Sequence, residues 1–128
     1  MKVTVQVSVG ELLDKMTILE IKSHLIANPQ KLQSIHHELE IVKQAWHIVK
    51  PADIDVAGEI AELKQINQTL WYIEDDIRIK ESKQEFDEHF IELARSVYIN
   101  NDKRAAVKHQ INTKLGSDIV EEKSYEHY

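Results

Sequence analysis

NQTLWYIEDDIR, which spans Asn67 to Arg78, is the stretch that decides how the rest of the chain is interpreted. At about 100° per residue on a helical projection, the apolar side chains of this region form one arc, which consists of Leu63, Ile66, Leu70, Ile73 and Ile77. One shoulder of the arc carries an amide, an indole, a carboxylate and a guanidinium, namely Asn67, Trp71, Glu74 and Arg78. The pattern predicts a helix with polar groups along the edge of a buried seam, where they either fix the packing or hold a ligand.

The first residues of the chain predict a β-strand. Valine alternates with polar residues at Val3, Val5, Val7 and Val9, and β-branched residues at period two are typical of a short half-buried strand. A single strand cannot satisfy its own backbone groups, so it needs a partner. Two partners are open: residues 118–122 (DIVEE) of the same chain, or the same strand of a second subunit.

Two helices follow, each with a clear start signal. Ser8 and Glu11 have the spacing of a capping box, which predicts helix 1 over residues 9–27. An N-cap followed by proline, Asn28-Pro29, begins helix 2, whose apolar stripe runs to Lys50-Pro51. The short connection predicts that helices 1 and 2 form an antiparallel hairpin.

The middle of the chain predicts two further helices. Asp53 or Asp55 caps helix 3, which carries the opening stretch and extends to about Lys83. The phase of the apolar pattern changes near Ser82, and a new stripe then defines helix 4 over residues 86–99.

A turn is predicted in the last third of the chain. The turn formers at residues 100–102 (NND) separate helix 4 from helix 5, which stops at a C′ glycine, Gly116. The predicted fold is therefore mainly α, a compact bundle of four to five helices with one short N-terminal β-strand. No repeat or linker divides the chain, so residues 1–128 are expected to form a single helical domain.

Composition and charge limit the partners. The chain has 128 residues, of which 42% are hydrophobic, with a formal net charge of −6 and no cysteine. The negative field repels nucleic acid and anionic membranes, so neither is expected as a partner. The absence of cysteine excludes disulfides and thiol nucleophiles. The N-terminus lacks the apolar core of a signal peptide, and no apolar run approaches the ~18 residues of a membrane span, so a cytoplasmic protein is expected.

Helical phase directs several polar side chains towards the interior. This candidate polar centre comprises Glu20, Asn67, Trp71, Glu74, Arg78, Tyr98, Arg104 and Lys108. Buried charges are retained only when they are paired, because removing water from an unpaired ion costs several kcal/mol. The centre is either a salt-bridge network that fixes helix register, or a pocket whose cations bind a phosphate or carboxylate. In the second case Glu20 or Glu74 would act as a general base or metal ligand.

Metal binding has little support in the residue spacing. Glu74, Asp75 and Asp76 are adjacent, and successive helical side chains point about 100° apart, so they cannot converge on one ion. The chain has seven histidines, but none has the spacing of a metal site, and we expect them on the surface. The sequence therefore predicts no metal and no cofactor.

Two other functional classes fit poorly. Small helical nucleoside triphosphate pyrophosphohydrolases carry Glu-x-x-Glu followed by Glu-x-x-Asp, and Glu59-x-x-Glu62 matches only the first element. The basic residues of helix 5 follow a turn, as in a helix-turn-helix protein, but apolar residues are interleaved with them. These cations are expected to face the acidic helix 3 of the same chain.

Four segments resemble a family of small bacterial proteins that is a domain of unknown function. They read GELLDKMTILEIK, LWYIEDDIR, FIELARSVYINNDKRAAVKHQIN and VEEKSY. The family-like positions are Glu11, Asp14, Lys15, Glu20, Trp71, Glu74, Asp75, Asp76, Arg78, Tyr98, Asn101, Asp102, Arg104 and Lys108. Several of them belong to the polar centre inferred from helical phase, and the resemblance implies no reaction, ligand or partner.

Two hypotheses of different classes follow, and the sequence does not decide whether the chain is an enzyme. The favoured one is a non-catalytic binding or adaptor domain with a structural charge network, whose partner is another protein or a second copy of the chain. The alternative is a small hydrolase or ligand-binding domain for a nucleotide or sugar phosphate. Full pairing among Glu20, Glu74, Arg78, Arg104 and Lys108 favours the first, and a pocket holding unpaired members favours the second.

Overall fold

Four α-helices make up the regular structure of the chain. They are α1 (Val9–Leu25), α2 (Pro29–Val49), α3 (Ala57–Ser82) and α4 (Glu88–Leu115). This computed structural model describes all residues, 1–128, and contains no β-strand. The fold is therefore mainly α, as the sequence predicts.

The helix starts follow the predicted capping signals. The Ser8 hydroxyl accepts the backbone N–H of Glu11 at 3.0 Å, and the Asn28 side chain accepts two N–H groups at the start of α2. Each of these bonds satisfies a backbone donor that has no partner inside the helix. The cap of α3 differs, because Val56 occupies the N-cap without a side-chain bond while Asp55 accepts the N–H of Ala57.

The predicted break between helices 4 and 5 is wrong, since one continuous helix, α4, covers both. The Asn100 amide donates to the carbonyl oxygen of Ser96 at 2.8 Å, so the turn-forming side chain is satisfied inside the helix. Buried residues also stay in phase across the expected break, because Leu93 and Val107 lie four helical turns apart. Packing of this face overrides the local turn preference of residues 100–102.

The predicted N-terminal strand is also absent. Residues 1–7 make no backbone–backbone hydrogen bond, and residues 118–122 do not pair with them. The C-terminal tail, residues 116–128, is instead held through a side chain, because Glu121 accepts the Ser8 hydroxyl at the start of α1. Residues 3–7 thus have no backbone partner within the chain, and a strand without a partner does not form.

Helix α1 is the centre of the packing. It contacts each of the other helices, whereas α2 contacts α1 alone and α3 packs along α4. The shared core includes Leu13 from α1, Leu63 from α3 and Ile111 from α4, all completely buried. The predicted contact between helices 1 and 2 is confirmed, with the connection reduced to residues 26–28.

The distal parts of α3 and α4 extend past this core as a two-helix hairpin. We call residues 72–99 the arm, and Leu93 is the only buried residue within it. Lys80 forms ion pairs with Glu85 at 3.0 Å and Asp87 at 2.8 Å, which hold the end of α3 to the start of α4. The arm is therefore the least covered part of the molecule.

Candidate functional site

Asp14 lies at the point where three helices meet. Its side chain is 1% exposed and accepts the Arg104 Nε at 3.0 and 3.1 Å and the Arg104 Nη2 at 2.5 Å. The Asn67 amide donates to Asp14 at 2.8 Å and to the Thr17 hydroxyl at 3.0 Å. Because Asp14, Asn67 and Arg104 belong to α1, α3 and α4, this carboxylate joins all three helices. A bidentate arginine–carboxylate pair also fixes the relative orientation of its helices.

A second cation completes what we call the Asp14 cluster, which consists of Glu11, Asp14, Thr17, Asn67, Arg104 and Lys108. Lys108 binds Glu11 at 2.6 Å and lies 3.7 Å from Asp14. The pKa of Arg104 is raised because its hydrogen bonds to Asp14 outweigh the effect of burial. The two carboxylates and two cations balance, so the cluster contains no unpaired charge.

A neighbouring set of polar groups ties the C-terminal tail to the start of α1. Glu121 accepts the Ser8 hydroxyl at 2.6 Å and the Asn112 amide at 3.3 Å, while Asn112 Oδ1 accepts the Gly10 N–H at 2.7 Å. Burial raises the pKa of Glu121, but the bonds from Ser8 and Asn112 and the charge of Lys108 lower it on balance. The carboxylate therefore stabilises the positive end of α1 in its charged form.

Glycine is required where α1 approaches α4. A Cβ atom on Gly10 would lie 2.7 Å from the backbone oxygen of Lys108 and 3.0 Å from Asn112 Oδ1. The first of these atoms belongs to the backbone and cannot move aside. This close approach brings Asp14, one turn later on α1, within reach of Arg104.

The remaining candidate residues are less buried than predicted. Glu20 is half-buried and binds Lys64 at 2.9 Å, because α3 presents a lysine at this edge of α1. Glu74 and Arg78 pair with each other on an exposed part of α3. Tyr98 is exposed and its ring packs edge-on against Tyr128 at 5.2 Å. The prediction that Glu74, Arg78 and Tyr98 point inward is wrong, since no further helix covers the edges on which they lie, whereas the side chain of Glu20 is only 25% exposed.

A groove nevertheless brings five of the eight candidates together. Its volume is about 500 Å³, and it is lined by Ile18, Asn67, Leu70, Trp71, Glu74, Asp75, Arg78, Asn101 and Arg104. Thus the polar shoulder of α3 does line a concavity, as its spacing predicts, together with Arg104 of α4. Both arginines already bind a carboxylate, Arg78 to Glu74 and Arg104 to Asp14. The acidic residues of the lining oppose an anionic ligand.

A second, smaller concavity lies between α4 and the C-terminal tail. It measures about 270 Å³ and is lined by Asn101, Arg104, Ala105, Lys108, His109, Asn112, Glu121, Glu122 and Lys123. Lys108, which lies outside the groove, is thus in this concavity. Both cavities share Asn101 and Arg104, so these two residues lie where the cavities adjoin.

The structure contains no convergent set of metal ligands. No group of three or more His, Asp or Glu residues is placed to hold an ion. All seven histidines are exposed, which confirms their predicted surface position. Every buried polar side-chain atom also has a hydrogen-bond partner.

Sequence reasoning missed Asp14 as a member of the inward set. On a helical projection Asp14 lies on the same arc as Gly10 and Thr17, two small residues seven positions apart. Small residues at that spacing permit a close helix approach, and they were the available signal. Lys64 and Glu121 were also missed, because their partners lie 44 and 113 residues away along the chain.

No helix combines the length and the apolar character that crossing a membrane requires. Among protein families, a model described as a family of unknown function (DUF6165) matches residues 1–128. No curated protein and no solved structure matches the chain.

Proposed function

The chain belongs to DUF6165, a family of unknown function, and we propose that residues 1–128 act as one non-catalytic cytoplasmic binding or adaptor domain. The observation that carries this proposal is the complete pairing of the charged candidates. Glu20 binds Lys64, Glu74 binds Arg78, Arg104 binds Asp14 and Lys108 binds Glu11. In this proposal the Asp14 cluster is structural and fixes how α1 crosses the α3–α4 hairpin.

The geometry of Asp14 favours a structural role over a catalytic one. A general base must reach the proton that it removes. Asp14 is 1% exposed, and its oxygens already accept hydrogen bonds from Arg104 and Asn67. Replacement of either donor by a substrate would leave a buried charge without its partner, which is costly.

The arm supplies the proposed binding surface. Its large exposed apolar side chains are Tyr72, Ile79, Phe86, Ile91 and Tyr98. On each helix the exposed pair is seven residues apart and therefore shares a face. Eight acidic and four basic residues lie between Glu74 and Arg95, which concentrates negative charge on the arm. Exposed apolar side chains on a hairpin with an excess of acidic residues fit a partner that presents a basic amphipathic helix.

A synthetic amphipathic helix of leucine and lysine is the probe for this surface. Titration calorimetry should show binding to the wild-type chain and at least a tenfold loss of affinity in the double variant Ile79→Ser, Ile91→Ser. The matched control is Ile41→Ser, Ile48→Ser, because these side chains on α2 are 55% and 81% exposed but lie far from the arm in sequence. A control that loses as much affinity as the arm variant would overturn the proposal. So would equal binding of a leucine–glutamate helix.

The groove supports a second candidate, a site for a small anionic ligand such as a nucleotide or sugar phosphate. Its support is the placement of Asn67, Trp71, Arg78 and Arg104 around one concavity. A ligand that binds only the folded state at a hundredfold excess over its Kd stabilises it by ~2.7 kcal/mol. Nucleotides and nucleotide sugars are the probes, and a binder should raise the unfolding midpoint by roughly 5–15 °C. The shift should disappear in Arg78→Ala, and a shift that persists there would exclude the groove.

A further inference from the structure

The N-terminal segment, residues 1–7, forms no strand and has no backbone partner. Val3, Val5 and Val7 are 77%, 71% and 47% exposed, and no backbone group of the segment bonds to another backbone group. Valine and threonine at alternating positions favour β-structure strongly, and an unpaired strand edge is a template for another strand. The sequence favours β-pairing, and the single chain does not provide it.

We propose that a second copy of this chain supplies the partner, by antiparallel pairing of the two N-terminal segments about a two-fold axis at Val5. Of the two partners that the sequence leaves open, residues 118–122 do not pair with the segment, because no backbone hydrogen bond joins the two stretches. The same strand of a second subunit is then the remaining partner. A two-fold interface requires a self-complementary surface, in which each residue faces its symmetry mate.

The alternation of the segment meets that requirement. With Val5 on the axis, Val3 faces Val7 of the other copy, and Thr4 faces Gln6. The valines of both copies then lie on one face of the ribbon and the polar residues on the other. Lys2 is the only charged side chain of the segment, and it faces Ser8, so like charges are not opposed.

Charge elsewhere in the molecule also permits this pairing. The segment leaves the bundle near Asn112 of α4, whereas the acidic arm occupies the opposite half of that helix. At 1.5 Å per residue, the start of the arm lies ~20 Å from Asn112 along α4 and the tip ~36 Å. Both distances exceed the Debye length of about 8 Å at physiological ionic strength, so the charge of each arm is largely screened at this junction.

The tail provides apolar cover for the ribbon. Two strands alone are only marginally stable and need an apolar surface against which to pack. The bond between Glu121 and Ser8 places the adjacent residues Ile119 and Val120, 37% and 38% exposed, at the base of the segment. The small area of such an interface predicts a weak dimer, whose population depends on the protein concentration.

A cysteine at the axis gives a direct test, because the natural chain has no cysteine. In an antiparallel pair, residues that face each other lie about 4.5–5.5 Å apart between Cα atoms, which is within disulfide range. Val5→Cys should therefore form a disulfide-linked dimer under mild oxidation. In Lys2→Cys, the matched control, the two thiols are about 20 Å apart in the paired ribbon and should link at least tenfold more slowly.

Sedimentation equilibrium of the cysteine-free chain completes the test. The wild type should show a concentration-dependent dimer, and Val3→Asp should abolish it without changing the helical circular dichroism, because Val3 lies outside the core. Equal cross-linking rates for the two cysteine variants would overturn the proposal. A wild type that stays monomeric would also do so, as would a dimer that is lost only in the arm variant Ile79→Ser, Ile91→Ser.

Discussion

At the scale of the residue, Asp14 controls the arrangement of the helices. A carboxylate that is 1% exposed is stable only when a nearby positive charge compensates it. Arg104 and Lys108 of α4, which lie 90 or more residues farther along the chain, supply that positive charge. Gly10 contributes differently, since its missing side chain lets the α4 backbone approach. Amino-acid composition does not reveal the role of either residue, but replacement of each should change the free energy of unfolding.

Asp14→Asn should destabilise the fold by about 2–4 kcal/mol. The amide retains an oxygen that can accept the Asn67 hydrogen bond, but it leaves Arg104 partly buried without a counter-ion. Urea unfolding measures the change. The control is Glu74→Gln, which removes an exposed pair on one helix and should cost only about 0.3–0.5 kcal/mol. Similar losses in the two variants would show that Asp14 does not organise the helices.

Gly10→Ala should cost about 1–3 kcal/mol, because the new methyl group meets a backbone oxygen at 2.7 Å. Gly58 offers a matched substitution in α3, since a Cβ there has no heavy atom within 4 Å. Gly58→Ala should instead stabilise the chain by about 0.4–1 kcal/mol through the entropy of the unfolded state. Thermal unfolding of the two variants should therefore give opposite shifts, and shifts of one sign would contradict the packing argument.

At the scale of the element, local signals predict helix ends better than helix continuity. Ser8, Asn28 and Gly116 are placed correctly from sequence, because capping depends on neighbours within a few residues. The continuity of α4 through residues 100–102 depends on packing against α1 and α3, which local turn preference does not include. The prediction of an N-terminal strand is wrong for the same reason, because a strand needs a partner and the local sequence pattern does not show whether one is present.

The ends of α3 and α4 provide a further prediction. Both helices close with the same backbone bond, in which a residue past the end donates to the carbonyl oxygen five residues back, Glu85 to Lys80 after α3 and Ser117 to Asn112 after α4. The left-handed position of this motif is Gly116 after α4, with φ of 62°, but Gln84 after α3, with φ of 57°. A side chain in this conformation costs about 1–2 kcal/mol.

Gln84→Gly should therefore raise the free energy of unfolding by about 0.5–1 kcal/mol, the relief of strain being offset in part by the greater entropy of an unfolded glycine. Urea unfolding measures this change in the free energy of unfolding. Gln84→Ala removes the same side-chain amide but keeps the Cβ, so it should give no gain. A gain of equal size in Gln84→Ala would mean that the side chain, and not the backbone conformation, is responsible.

At the scale of the whole molecule, helix lengths decide which polar residues are covered. α1 has 17 residues, whereas α3 and α4 have 26 and 28, so α1 can cover only part of their length. Helical phase correctly places Asn67 and Arg104 towards the interior, because α1 lies over that part of the hairpin. The same phase fails for Glu74 and Arg78, which lie farther along the arm. Sequence periodicity gives the direction of a side chain but not the presence of a neighbour.

The tail gives the molecule a defined response to acid. The pKa of Glu121 is lowered from its ordinary value of 4.5 in the folded state: burial raises it, but hydrogen bonds from Ser8 and Asn112 dominate. A group with a lowered folded-state pKa binds protons more readily when unfolded, so its stabilisation is present above pH 4.5 and is lost as the pH falls through the folded-state pKa. Glu59, whose pKa is lowered by the hydrogen bond from Lys114, adds to the same effect.

Glu121→Gln should therefore lower the unfolding midpoint at neutral pH and leave it nearly unchanged below the folded-state pKa of Glu121, where the wild-type carboxylate is already protonated. The measurement is the difference in Tm between the two proteins as the pH is lowered from neutral. Glu122→Gln is the matched control, because the neighbouring carboxylate makes no ion pair within 4.0 Å. Its Tm should follow the wild type at every pH. A difference between Glu121→Gln and the wild type that did not shrink in acid would mean that the tail is held by packing, and that the bond between Glu121 and Ser8 does not control its attachment.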